Sequence, residues 1–111
     1  MYPIASSSGA VRTEHMGKLA LVVTIKTRPG KREEYLEHLK AHAERCLATE
    51  PATLEFEILV PQEKADTVML YQAFASLEAF EAHWNGASKQ QADRDLQALK
   101  VSATRMLCDI V

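Results

Sequence analysis

Cysteine, glycine, proline and tryptophan are all scarce in this chain, with two, four, four and one among 111 residues. Cys46 and Cys108 stand far apart and belong to no Cys-x-x-Cys pair, which excludes a zinc-cluster or thioredoxin-type motif and leaves reduced, packed thiols as the expectation. No apolar run approaches the roughly 20 residues of a membrane span, and the first fifteen residues lack the apolar segment of a secretory signal, so no membrane partner and a cytoplasmic location are expected. Thirteen Lys and Arg against fifteen Asp and Glu give a formal charge of −2. Without a basic surplus, nucleic-acid binding is not expected either.

The remaining composition, 47% hydrophobic and 25% charged, is that of one globular domain. Residues 1–17 carry Ser6-Ser7-Ser8-Gly9 and no periodicity, and read as an N-terminal tail ahead of a domain over 18–111. Leu19 to Thr27 is rich in β-branched residues and stops at Arg28-Pro29-Gly30, a strand closed by a turn. From Lys31 to Thr49, Tyr35, Leu36, Leu39, Ala43, Cys46 and Leu47 recur at three- and four-residue steps, the signature of an amphipathic helix. Pro51 ends it. Leu54, Phe56, Ile58 and Val60 then alternate along a second strand, and the polar loop from Pro61 to Asp66 joins it as a hairpin to a third over 67–75.

Ser76 is a good helix N-cap, Glu78 sits near the positive end of the helix it opens, and Asn85-Gly86 closes that helix after three turns at most. Leu77, Phe80 and Trp84 share its apolar stripe, with His83 at the rim. Ser88-Lys89-Gln90-Gln91 has capping-box spacing and opens a further helical stretch, and Val101 to Val111 is a last strand. The order β-α-β-β-α-α-β predicts an α+β, ferredoxin-like βαββαβ fold, with a four-stranded antiparallel sheet and helices on one face. Strands apolar on both faces call for a second layer, hence a homodimer.

Arg28-Pro29-Gly30-Lys31, Glu50-Pro51-Ala52-Thr53-Leu54-Glu55-Phe56, and Leu70-Tyr71-Gln72 followed by Ala79-Phe80-Glu81-Ala82-His83 resemble the antibiotic biosynthesis monooxygenase superfamily from about Lys18 to Val111. The resemblance implies a dimeric α+β barrel. It also implies a choice of chemistries, among them cofactor-free oxygenation of quinols and phenols, haem degradation and sugar-phosphate isomerisation. The chain departs from the family at Ala52-Thr53, which replace Gly-Cys, and at Gln72, which replaces a glutamate. Gly86-Ala87-Ser88-Lys89 stand where many relatives carry a second histidine, and Asp93 where the haem-degrading branch has its iron ligand. No haem, other cofactor or metal is therefore expected.

Read through that resemblance, the chain is a cofactor-independent monooxygenase or quinol-oxidising enzyme acting on a small phenolic or quinol-type molecule. The alternatives are a non-oxidative isomerase or binding protein on the same scaffold, or a dimer without activity. His83 is the candidate base, imidazole being the side chain suited to proton transfer near neutral pH. The competing reading is a helix-end histidine bonded to a backbone carbonyl. Gln72, Asn85 and Trp84 are candidate donors to substrate oxygens, and Phe56, Phe74, Phe80, Met69 and Met106 candidate walls, with His42 at the pocket edge next to Cys46. His38 and His42 have metal-ligand spacing but no third ligand in sight, and His38 falls outside the apolar stripe. Arg105, set among apolar residues of the last strand, is expected to pair with Glu55 or Glu57, or to hold an anionic substrate.

Overall fold

The structure, a computed structural model, describes residues 17–111. Apart from Gly17, the expected tail lies outside the described residues. Four strands, β1 (Leu19–Thr27), β2 (Thr53–Leu59), β3 (Thr67–Phe74) and β4 (Lys100–Asp109), form one antiparallel sheet in the order β2-β3-β1-β4. Three helices, α1 (Arg32–Thr49), α2 (Leu77–Trp84) and α3 (Ala87–Leu96), complete the ferredoxin-like α+β fold, and a 3₁₀ turn over Gln97–Leu99 leads into β4.

Alternation along β1 sends Leu19, Leu21, Val23 and Ile25 into the core under the helices and leaves Thr24 and Lys26 exposed on the opposite face. On α1 the buried residues are Tyr35, Leu36, Leu39, His42, Ala43 and Cys46, so the helix presents His42 to the sheet on the same stripe as its aliphatic side chains. Leu47, expected on that stripe, is 48% exposed. In the hairpin a register shift between Thr53 and Glu55 resets the alternation. Thr53, Phe56 and Ile58 face inward, whereas Leu54, expected to point in, is exposed.

Ser76 caps α2 as anticipated, its Oγ accepting from the Ala79 backbone N–H at 3.1 Å. Helix α3 starts two residues earlier than the capping box implies. Gly86 is its N-cap, no side chain caps it, and Ser88 lies within the first turn. A Cβ on Gly86 would lie 2.9 Å from the Ala82 carbonyl oxygen, so the α2–α3 junction closes this tightly only around a residue without a side chain. The helices leave one sheet face uncovered, on which Val22, Met69 and Tyr71 are half-buried and Met106 is 63% exposed. None of the helices over the described residues is long and apolar enough to cross a membrane.

Candidate active site

The C-terminal half of α1, the last turn of α2 and the inward face of β3 bring His42, Cys46, Glu50, Gln72 and His83 together. His42 and Cys46 are one turn apart on α1, and Glu50 is the residue that follows its last turn. His83, only 2% exposed, lies deeper than its expected place at the rim of an apolar surface. Its ring packs at a centroid distance of 5.2 Å from Phe74 and 5.8 Å from His42.

Each nitrogen of His83 has a side-chain partner. Nδ1 lies 2.8 Å from Glu50 Oε1, which also accepts from Thr53 Oγ1 at 2.9 Å. A carboxylate only accepts, so Nδ1 carries the hydrogen and Nε2 the lone pair, directed to the Gln72 side-chain amide at 3.4 Å. This is the arrangement in which a carboxylate fixes the tautomer of an imidazole and stabilises its protonated form. It replaces the backbone-carbonyl partner of the competing sequence reading.

Electrostatics around the cluster follow from burial. Desolvation, followed by the neighbouring His83 and Arg45, lowers His42 from its ordinary 6.5 to about 4, so its ring is neutral. Burial, reinforced by Glu50, pushes the Cys46 thiol up to about 12, so the sulfur is protonated rather than nucleophilic. Burial and then Asp93 push Tyr35 up to about 12.

A cavity of about 60 Å³ runs between sheet and helices, with Phe56, Gln72, His42, His83, Tyr35 and Trp84 on its walls. It continues outward into a basin of about 640 Å³ between Trp84, Asn85, Lys89, Asp93, Lys100 and Arg105. Lys89 Nζ lies 4.2 Å from the Trp84 ring centre and Arg105 Cζ 5.3 Å from it. On the far side of His83 a groove of about 260 Å³ is bounded by Glu50, Pro51, Thr53 and Ala79. His83 therefore stands as a wall between an inner cavity and a groove on its Glu50 side.

Several expected site residues take other places. Phe74 and Phe80, both fully buried, pack against each other behind His83 and line neither the inner cavity nor the basin. Asn85 is confined to the outer basin, its Nδ2 donating to the Glu81 carbonyl. Met69 and Met106 belong to the opposite sheet face, since their β1 partners Thr24 and Val22 point away from the helices. Arg105 pairs with neither Glu55 nor Glu57, because β4 and β2 are opposite edges of the sheet, and it sits over Trp84 instead. His38 is exposed and apart from the buried cluster. Lys89, Asp93, Lys100 and Tyr35 were not anticipated as lining residues. The only sequence signal for them was the i,i+4 spacing of Lys89 and Asp93, which form an ion pair at 2.7 Å.

The fold is ferredoxin-like, and its candidate site is a histidine–carboxylate pair beside a partly apolar pocket. The antibiotic biosynthesis monooxygenase family matches residues 19–94, and the chain belongs to that family. Among solved structures it is similar to a Caulobacter crescentus protein put forward as an antibiotic biosynthesis monooxygenase, with 20% identity, 86% of this chain and 92% of that one covered, and a TM-score of 0.81. A Nitrosomonas europaea protein put forward under the same description is 16% identical over 87% and 93% of the two chains, at a TM-score of 0.81. A dimeric protein of unknown function and ferredoxin-like fold from Bacteroides fragilis is 17% identical over 86% and 100%, at 0.69. At these identities the likeness is one of fold. No curated protein matches the chain.

Proposed function

We propose that this protein is a homodimeric, cofactor-independent monooxygenase that oxidises a small phenol or quinol, with His83 as general base. The observation that carries the reading is the buried His83, held by Glu50 at Nδ1 and by Gln72 at Nε2, with both His83 and Gln72 lining the inner cavity. The inner cavity is well below the roughly 150 Å³ that accommodates a benzene ring. It therefore takes the hydroxyl end of the substrate, while the ring lies in the basin at Trp84. Lys89, Lys100 and Arg105 around that basin outnumber Asp93 and favour the phenolate over the phenol.

His83 Nε2 removes the hydroxyl proton, and the phenolate passes one electron to dioxygen. Superoxide and the ring radical then combine into a ring peroxide anion. His83 returns the proton to the peroxide, and the resulting hydroperoxide loses its outer hydroxyl together with the hydrogen on the same ring carbon, giving a quinone and water. Glu50 stabilises the imidazolium between those two proton transfers.

The uncovered face carrying Val22, Met69, Tyr71 and Met106 supports the dimer. The cationic basin also favours a second reading, a non-oxidative isomerase or binding protein for a small anion. Oxygen uptake with a panel of hydroquinones in chelator-treated buffer separates the two. The oxygenase consumes oxygen, and His83→Ala lowers the rate by about 10² to 10⁴. Uptake unchanged in His83→Ala would remove the base assignment, and no uptake with any quinol would favour the second reading.

A further inference from the structure

The mechanism above uses neither Cys46 nor His42, yet both are buried against His83. Cys46 Sγ lies 3.6 and 3.7 Å from the two ring nitrogens of His42 and 3.8 Å from His83 Nδ1. One ligand atom from each of the three residues can be chosen such that no pair is more than 4.8 Å apart. A tetrahedral zinc ion with Zn–S near 2.3 Å and Zn–N near 2.0 Å sets its sulfur and nitrogen ligands about 3.5 Å from one another. The sulfur–nitrogen separations already stand close to that value.

We propose that His42, Cys46 and His83, with Glu50 as fourth ligand, form a binding site for a divalent, zinc-type metal ion. His42, Cys46 and Glu50 follow one another at four-residue steps, which stacks their side chains on one side of α1 and its C-terminal extension. Helix α2 brings His83 onto that stack. Glu50 Oε1 reaches His83 Nδ1 at 2.8 Å, the same nitrogen that faces the sulfur. An ion entering among these atoms takes the place of the Nδ1 proton and of the thiol proton.

Charge selects the ion. One thiolate and one carboxylate cancel a dication, leaving a neutral centre in a buried setting where a net charge is costly. The same ligands around a monovalent ion would leave a buried negative charge. The mixed sulfur, nitrogen and oxygen set suits zinc or cobalt better than magnesium or calcium, which take oxygen ligands. With metal on Nδ1, the hydrogen of His83 moves to Nε2, where the Gln72 side-chain oxygen accepts it after rotation of the amide. Such an outer partner is what metal-bound histidines ordinarily have.

The site shares His83 and Glu50 with the proposed oxygenase, and a bound ion, by placing the hydrogen on Nε2, silences the base; metal binding itself is tested without that activity. The full chain, reduced and stripped of metal, is titrated with cobalt(II) alone and followed by absorbance. A 1:1 complex is expected, with the visible bands of tetrahedral cobalt and a near-ultraviolet thiolate-to-cobalt charge-transfer band, all displaced by zinc. Cys46→Ser abolishes the charge-transfer band, His42→Gln weakens binding by about 10-fold or more, and His38→Gln changes nothing. Circular dichroism establishes that each variant is folded. Absence of a charge-transfer band in the wild-type chain at excess cobalt overturns the proposal, whatever the variants do. So does an undiminished band in folded Cys46→Ser.

Discussion

Burial of His42 as a neutral ring makes the stability of the fold depend on mildly acidic pH. Its folded pKa is about 4 against an ordinary 6.5, so between those values the unfolded chain binds a proton that the folded chain refuses. Stability is therefore fully present above pH 6.5 and is lost as pH falls toward 4. The whole shift corresponds to about 3 kcal/mol, of which about 2 kcal/mol is gone by pH 5. With a urea slope of about 2 kcal/mol per molar, the unfolding midpoint falls by about 1 M between pH 7.5 and 5. His83, Arg45, Glu50 and Lys89 surround the ring, and groups elsewhere titrate in the same range. The measurement is thus the difference between wild type and His42→Leu, in chelator so that no bound metal stabilises either. The non-titrating leucine removes this component while the other groups cancel. The gap between the two midpoints should shift in favour of the variant as pH falls. Parallel pH profiles for the two proteins would refute a buried, neutral His42.

Two further outcomes concern the frame around the site. Gly86→Ala drives a methyl group to 2.9 Å from the Ala82 carbonyl and is expected to cost about 1 to 3 kcal/mol in urea unfolding, since α2 and α3 must separate to admit it. An unchanged midpoint would show that the junction is loose. Met106→Glu places a charge on the uncovered sheet face and is expected to convert a dimer into a folded monomer in sedimentation velocity. A wild-type chain that sediments as a monomer would remove the dimer from the proposal, and a dimeric variant would place the interface elsewhere.

Local signals carried the frame of the fold. The 3.6-residue rhythm of α1, the Ser76 cap and the apolar alternation of β1 are each written within a single element, and the structure reproduces them because short-range sterics and side-chain burial act over those same few residues. The bulge at Thr53 and Glu55 escaped the reading of β2, since a register shift belongs to a pair of strands and not to either strand alone. The expectation that Arg105 pairs with Glu55 or Glu57 fails for a similar reason. Which strands form the two edges of the sheet is decided by the crossovers, and no property of β4 reveals that β2 lies on the far side.

The candidate site shows the same division. His83 was legible at the rim of the apolar stripe of α2, and Gln72 through the family resemblance, as an amide where a glutamate is usual. Glu50 was not, being one acidic residue among fifteen Asp and Glu until the C-terminus of α1 is placed beside the end of α2. Cys46 read as packing, and His42 as a boundary residue, because a helical wheel measures only how a residue faces its own helix. By itself the sequence determined the elements and which of their faces are apolar. Only the docking of α1 and α2 on one sheet face decided that two imidazoles, a thiol and a carboxylate would meet, because their distances depend on segments more than thirty residues apart in the chain.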